Sequence, residues 1–121
     1  MYSPQLLDHF EHPRNPGTVA APDAFARIEN PACGDVLELT LKISEGRIEE
    51  IRFRAKGCVA SMACASALTQ LARGRTIAEA RTLSREELVR AVDGLPPASM
   101  HASHLAINAL AAALDQAAGK T

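Results

Sequence analysis

The segment from Asp35 to Lys56 does most to restrict the fold. Leu37, Leu39, Leu41 and Ile43 alternate with Glu38, Thr40 and Lys42, and Ile51, Phe53 and Ala55 alternate with Glu50, Arg52, Arg54 and Lys56. A period of two marks strands with one buried face. "SEGR", Ser44 to Arg47, reads as the turn between them. Both apolar sets carry odd numbers and must share a face, because a slip of one residue would turn one set to solvent. Pairing Leu41 with Ile51 and Leu39 with Phe53 meets that condition. The same register runs on to Leu37 with Ala55 and Asp35 with Gly57. The open end of the hairpin then sets Cys33-Gly34-Asp35 beside Gly57-Cys58.

The rest of the chain reads mainly as helix. Ser3-Pro4 is an N-cap followed by proline at the first helical position, and Leu6, Leu7 and Phe10 form the apolar stripe of a helix over 4–11. "HPRNPGTVAAPD" is loop, and Phe25 to Glu29 is expected as a first strand. "VASMACASALTQLARG" follows Cys58 and reads as a helix closed by Gly74; its small residues suit close packing on a sheet. Thr76 with Glu79 and Ser84 with Glu87 are spaced as capping boxes for two short helices, the second ending near Gly94. "LPP" is a stiff connection, and Ser99 is expected to cap a last helix over 99–117. Strands come first and helices follow. The expected class is α+β: a small antiparallel sheet of about three strands with helices packed on one face, as a single domain over 1–121.

Composition restricts function. Net charge is −1 and no basic block exists, so neither nucleic acid nor an anionic membrane is expected as a partner. No apolar run approaches the roughly 18–20 residues needed to span a bilayer. The opening "MYSPQLLDHF" lacks a signal-peptide pattern, so a cytoplasmic protein is expected. Three cysteines is an odd number, which in a reducing compartment directs attention to reactive or metal-binding thiols.

Cys33 precedes a strand, and Cys58 lies where a strand gives way to a helix. A thiol at a helix N-terminus favours the thiolate, and Lys56 is expected to add to this. Asp35 is two residues from Cys33, so in extended chain both side chains point the same way. Two thiolates and a carboxylate converging on one edge are metal ligands, with sulfur favouring iron–sulfur, zinc or copper(I). His101 and His104 share a face at the start of the last helix, and His101 becomes the next ligand if that helix begins near the hairpin's open end. The bland readings stand beside these. The spacing C-x24-C-x5-C is no standard zinc-finger pattern. Cys64 lies about 600° around the helix from Cys58 and reads as a small core residue. His9 and His12 read as surface residues, and the charges of "RFRAK" as the solvated face of a strand.

Four motifs carry a family resemblance. "YSPQLLDHFEHPRNPG" is similar to Y-S-x-x-(V/L)-x-(D/E)-H-(F/Y)-x-x-P-R-N-x-G; "NPACGDVLEL" to P-x-C-G-D; "FRAKGCVASMACAS" to G-C-x-x-x-x-A-S-x-S; and "LPPASMHASHLA" to L-P-P-x-K-x-H-C-x-x-L-A. In this order and over nearly the full length, the chain resembles the IscU/NifU N-terminal family of iron–sulfur cluster assembly scaffolds. The resemblance implies a non-enzymatic scaffold that binds iron and a transient [2Fe–2S] cluster. It implies ligand roles for Cys33, Cys58 and His101, and a role for Asp35 in keeping the cluster labile. The implied partners are a cysteine desulfurase that supplies sulfur, recipient apo-proteins and an Hsp70-type chaperone reading "LPP", with the scaffold a monomer or weak homodimer.

The departure from the family is specific. Its third cysteine falls at Ala102, its lysine in the third region at Ser99, and Cys64 falls where serine is more usual. A [2Fe–2S] cluster needs four terminal ligands, and Cys33, Cys58, Asp35 and His101 make a complete set within one chain. Two cysteines, a histidine and an aspartate also suit Zn2+. The alternative is therefore a zinc-binding or metal-free adaptor that binds the desulfurase without building a cluster. A thiol redox enzyme, with Cys58 as nucleophile and Cys64 or Cys33 resolving, lacks a C-x-x-C motif.

Overall fold

The computed structural model describes residues 1–31 and 34–119. The order of elements is α1 (Pro4–Glu11), β1 (Ala24–Glu29), β2 (Val36–Ser44), β3 (Arg47–Lys56), α2 (Val59–Ala72), α3 (Ile77–Arg81), α4 (Arg85–Ala91), a 3-10 turn (Pro97–Ser99) and α5 (His101–Ala118). The three strands form one antiparallel sheet in the order β1-β2-β3. The hairpin has the register expected from parity: Leu41 faces Ile51, Leu39 faces Phe53 and Leu37 faces Ala55. A bulge between Lys42 and Ile43 shifts the pairing near the turn, so Ile43 faces Ile48. β1 pairs with the other edge of β2, Ala26 against Leu39 and Ala24 against Leu41.

Leu37, Leu39, Leu41, Ile48 and Ile51 are almost fully buried on one face of the sheet. α2 and α5 cover that face, as the apolar pattern requires. α2 is central and is buried nearly all round: Ala60, Ala63, Cys64, Ala65, Ala67, Leu68 and Ala72 all lie in the core. Alanine at these positions lets the sheet, α1 and α5 approach its axis together. Truncating a large core side chain such as Leu68 or Leu39 to alanine costs about 2–5 kcal/mol.

The opposite face is only partly solvated. The segment after α1 adds to the outer edge of β3: the Phe53 N–H donates to Asn15 O and the Gly17 N–H to Phe53 O. It then crosses beneath the sheet, where the Val19 N–H donates to Thr40 Oγ1 and both residues are buried. Asp23 ends the crossing by accepting from the Ile43 N–H.

Both capping boxes form, Thr76 with Glu79 and Ser84 with Glu87. Two sequence expectations fail at helix starts. Ser99 does not cap the last helix. Pro96-Pro97 leads instead into a 3-10 turn, and α5 begins at His101 with Met100 before it and no side-chain cap. In α1 the buried face is Leu6 and His9, and Leu7 is exposed. His9 is thus not a surface residue. Its Nδ1 lies 2.8 Å from Ser66 Oγ, which also accepts from the Arg14 N–H. Ser66 and Thr69 fasten the first helix and its loop to α2, with Thr69 Oγ1 taking Asn15 Nδ2–H and donating to Ser66 O.

Burial holds the His9 imidazole below its ordinary 6.5; Arg14 adds to this and Asp8 opposes it. The fold therefore favours neutral His9. That stability is fully present above about pH 6.5 and is lost as pH falls through the lowered value. Thermal unfolding checks this: between roughly pH 7.5 and 5.5 the parent loses more Tm than His9→Gln, which has no imidazole to charge. Equal losses would contradict it.

Candidate metal centre

Odd-numbered residues of β2 face the helices, so Asp35, one position before the strand, is carried into the layer between sheet and helices and is 4% exposed. Directly opposite, Gly57 has φ +146°, and a Cβ built there would lie 2.2 Å from Asp35 Oδ1. The residue must be glycine for the carboxylate to sit where it does. Cys58 follows as the N-cap of α2, half-buried, with Sγ accepting from the Ser61 N–H at 3.4 Å.

The Asp35 carboxylate ties these elements together. Oδ1 accepts from the Cys58 N–H at 3.3 Å, and Oδ2 accepts from the Cys58 thiol at 3.2 Å and from Ser61 Oγ–H at 2.6 Å. His101, the first residue of α5, brings Nε2 to 3.4 Å from Asp35 Oδ2 and 3.9 Å from Cys58 Sγ. Asp35, Cys58 and His101 thus offer one ligand atom each, all within 4.8 Å of one another.

The triangle fits a metal ion. Bonds of about 2.3 Å to sulfur and about 2.0 Å to nitrogen and oxygen put the corners of a tetrahedral zinc site roughly 3.3–3.5 Å apart. The edges here are 3.2, 3.9 and 3.4 Å. The proton between Sγ and Oδ2 lies where a cation would sit, and a metal bound there would displace it.

Three of the four residues expected as ligands therefore meet. The fourth, Cys33, lies outside the described residues. His104 does not join them: its Nε2 accepts from the Arg85 guanidinium at 2.6 Å. Its ring still lines, with His101, Glu29, Asn30 and Asn108, a groove of about 330 Å³ beside the site. Lys56, expected to favour the Cys58 thiolate, is exposed and lines a hollow with Arg27, Glu38 and Arg54 instead. Even numbering puts it on the other face of the strand. Cys64 is fully buried, and burial pushes its thiol up to about 12, with Cys58 adding to the shift. Ala102 is also buried, its methyl part of the core. Sequence reasoning passed over Ser61. The signal was its position, three residues past a helix-capping cysteine, where an N3 side chain reaches back to the cap.

The same arrangement of chain is found in known proteins. The iron-sulfur cluster assembly scaffold protein IscU 1 of Archaeoglobus fulgidus is 41% identical over 114 residues, covering 94% of this chain and 74% of that protein. The iron-sulfur cluster assembly scaffold protein IscU of Azotobacter vinelandii is 38% identical over 117 residues, covering 93% and 91%. The crystal structure of a nitrogen-fixing NifU-like protein (N-terminal) from Brucella abortus superposes with a TM-score of 0.78 over 98% of this chain and 95% of that one; at 19% identity it speaks for the fold alone. The family model of the NifU-like N-terminal domain matches residues 1–121, and the chain belongs to that family.

Proposed function

We propose that this protein is a scaffold on which an iron–sulfur cluster is assembled as cargo and from which it is passed on. The observation that carries the reading is the convergence of Asp35, Cys58 and His101 on one half-buried corner, with a thiol sulfur, a carboxylate and an imidazole at metal-ligand distances. Relatives at 38–41% identity are named as such scaffolds. Cys33 completes a four-donor set in sequence. A cargo site needs ligands strong enough to collect iron and sulfide and weak enough to release them. An oxygen and a nitrogen in place of thiolates weaken the hold on soft iron–sulfur units. The scaffold accepts sulfur from a cysteine desulfurase at Cys58 or Cys33, hands the cluster to apo-proteins, and works in the cytoplasm without enzymatic turnover of its own. No helix among the described residues is long and apolar enough to cross a membrane.

The edges of the triangle favour a second reading. They fit a single tetrahedral ion, and Ala102 stands where the family resemblance implies a third cysteine. A zinc-holding adaptor that binds the desulfurase without building a cluster has the same site.

Anaerobic incubation with ferrous iron, cysteine and a cysteine desulfurase separates the two. A scaffold develops sulfur-to-iron charge-transfer absorption and shows persulfide on Cys58 or Cys33 by mass spectrometry. An unchanged spectrum with no persulfide contradicts scaffolding. Ala102→Cys gaining a cluster that the parent lacks favours the adaptor.

Ligand identity is tested by zinc titration calorimetry. Cys58→Ser and His101→Ala each weaken zinc by at least about tenfold, and His104→Ala leaves affinity unchanged. Loss with His104→Ala and not with His101→Ala would contradict the assignment.

A further inference from the structure

We infer that Ser61 is a positioning residue that makes Asp35 a one-oxygen ligand, through the hydrogen bond from Ser61 Oγ to Asp35 Oδ2. The inference rests on the reading of Asp35, Cys58 and His101 as a metal site and concerns how that site sets its coordination. Ser61 is buried, 3% exposed. At N3 of a helix a polar side chain ordinarily turns back to the N-cap N–H, as Glu79 and Glu87 do in α3 and α4. At α2 the N-cap N–H of Cys58 already goes to Asp35 Oδ1. The Ser61 hydroxyl is therefore released to donate to Oδ2 at 2.6 Å.

The two oxygens of the carboxylate are thus held differently. Oδ1 is pinned by the backbone of Cys58 and crowded by Gly57, whose position admits no Cβ. Oδ2 faces Cys58 Sγ and His101 Nε2 and carries the Ser61 proton on one lone pair. It also accepts from the Cys58 thiol, whose proton a bound metal would displace. A carboxylate locked at both oxygens cannot rotate to chelate through both, so the ion stays four-coordinate with one Asp oxygen. Outer hydrogen bonds of this kind orient metal ligands, and removing one typically costs about 10–100-fold in affinity.

Cobalt(II) is the probe, because its ligand-field bands are intense in tetrahedral sites and weak at higher coordination number. The full-length parent, Ser61→Ala, Ser61→Thr, Asp35→Asn and the Ser61→Ala/Asp35→Asn double variant are titrated without air. Ser61→Ala keeps the Ser61 N–H bond to Cys58, so the helix cap remains. The expected result is that the parent binds one cobalt with intense bands. Ser61→Ala binds about tenfold or more weakly and its bands lose intensity as coordination rises, while Ser61→Thr, with its hydroxyl, behaves as the parent. In the Asp35→Asn background Ser61→Ala has little further effect, since coupled residues are not additive. If the alanine variant does not fold, Ser61→Val against Ser61→Thr gives the same comparison, since the two are close in shape and differ in the hydroxyl. A parent-like affinity and spectrum for Ser61→Ala, or an equal loss in the Asp35→Asn background, overturns the inference and leaves the metal site standing. A parent that binds no cobalt overturns both.

Discussion

One carboxylate holds the functional corner together. Asp35 stands one position before β2 yet accepts from the backbone N–H of Cys58, the cap of α2, 23 residues later in the chain. Helices α3 and α4 cap themselves with a glutamate of their own third position. α2 has no such residue, and the part is taken by a carboxylate from the sheet. The start of the central helix, the end of the hairpin and the ligand geometry are in this way set by a single side chain. Replacing it would disturb the cap as well as the site, which is why Ser61 and His101 give cleaner access to the chemistry.

The site is also placed by parity. Odd positions of β2 face the helices, and Asp35 is odd, so the register that buries Leu37 and Leu39 buries the carboxylate too. Gly57 is needed because a Cβ there would overlap the Asp35 carboxylate. α5 then begins with His101 over the same corner, because the 3-10 turn at Pro97–Ser99 ends there. Core packing and ligand placement share one arrangement of side chains, which leaves the corner half-open at Cys58 and His101 and closed behind Asp35.

The hairpin register, and with it the meeting of Asp35 and Gly57-Cys58, could be read from alternation and the Ser44–Arg47 turn, since parity keeps both apolar sets on one face and the short turn selects among the pairings that do. The capping boxes were equally legible because they are local. What could not be read depended on distant partners. His9 looked like a surface residue because its hydrogen-bond partner, Ser66, is 57 positions away. The crossing of Val19 beneath Thr40 leaves no periodic trace. Ser99 resembled a cap, and the preceding prolines turned the chain once more before the helix began. That His101 and not His104 faces the site follows from where α5 starts and from Arg85 holding the second imidazole, neither of which the i, i+3 spacing reveals.

The central claim is that Asp35, Cys58 and His101 hold one metal. Anomalous X-ray diffraction from crystals grown with zinc tests it by locating the ion. The account predicts one strong peak within bonding distance of Asp35 Oδ2, Cys58 Sγ and His101 Nε2. A peak at His104 or Cys64 with none at this corner would contradict it.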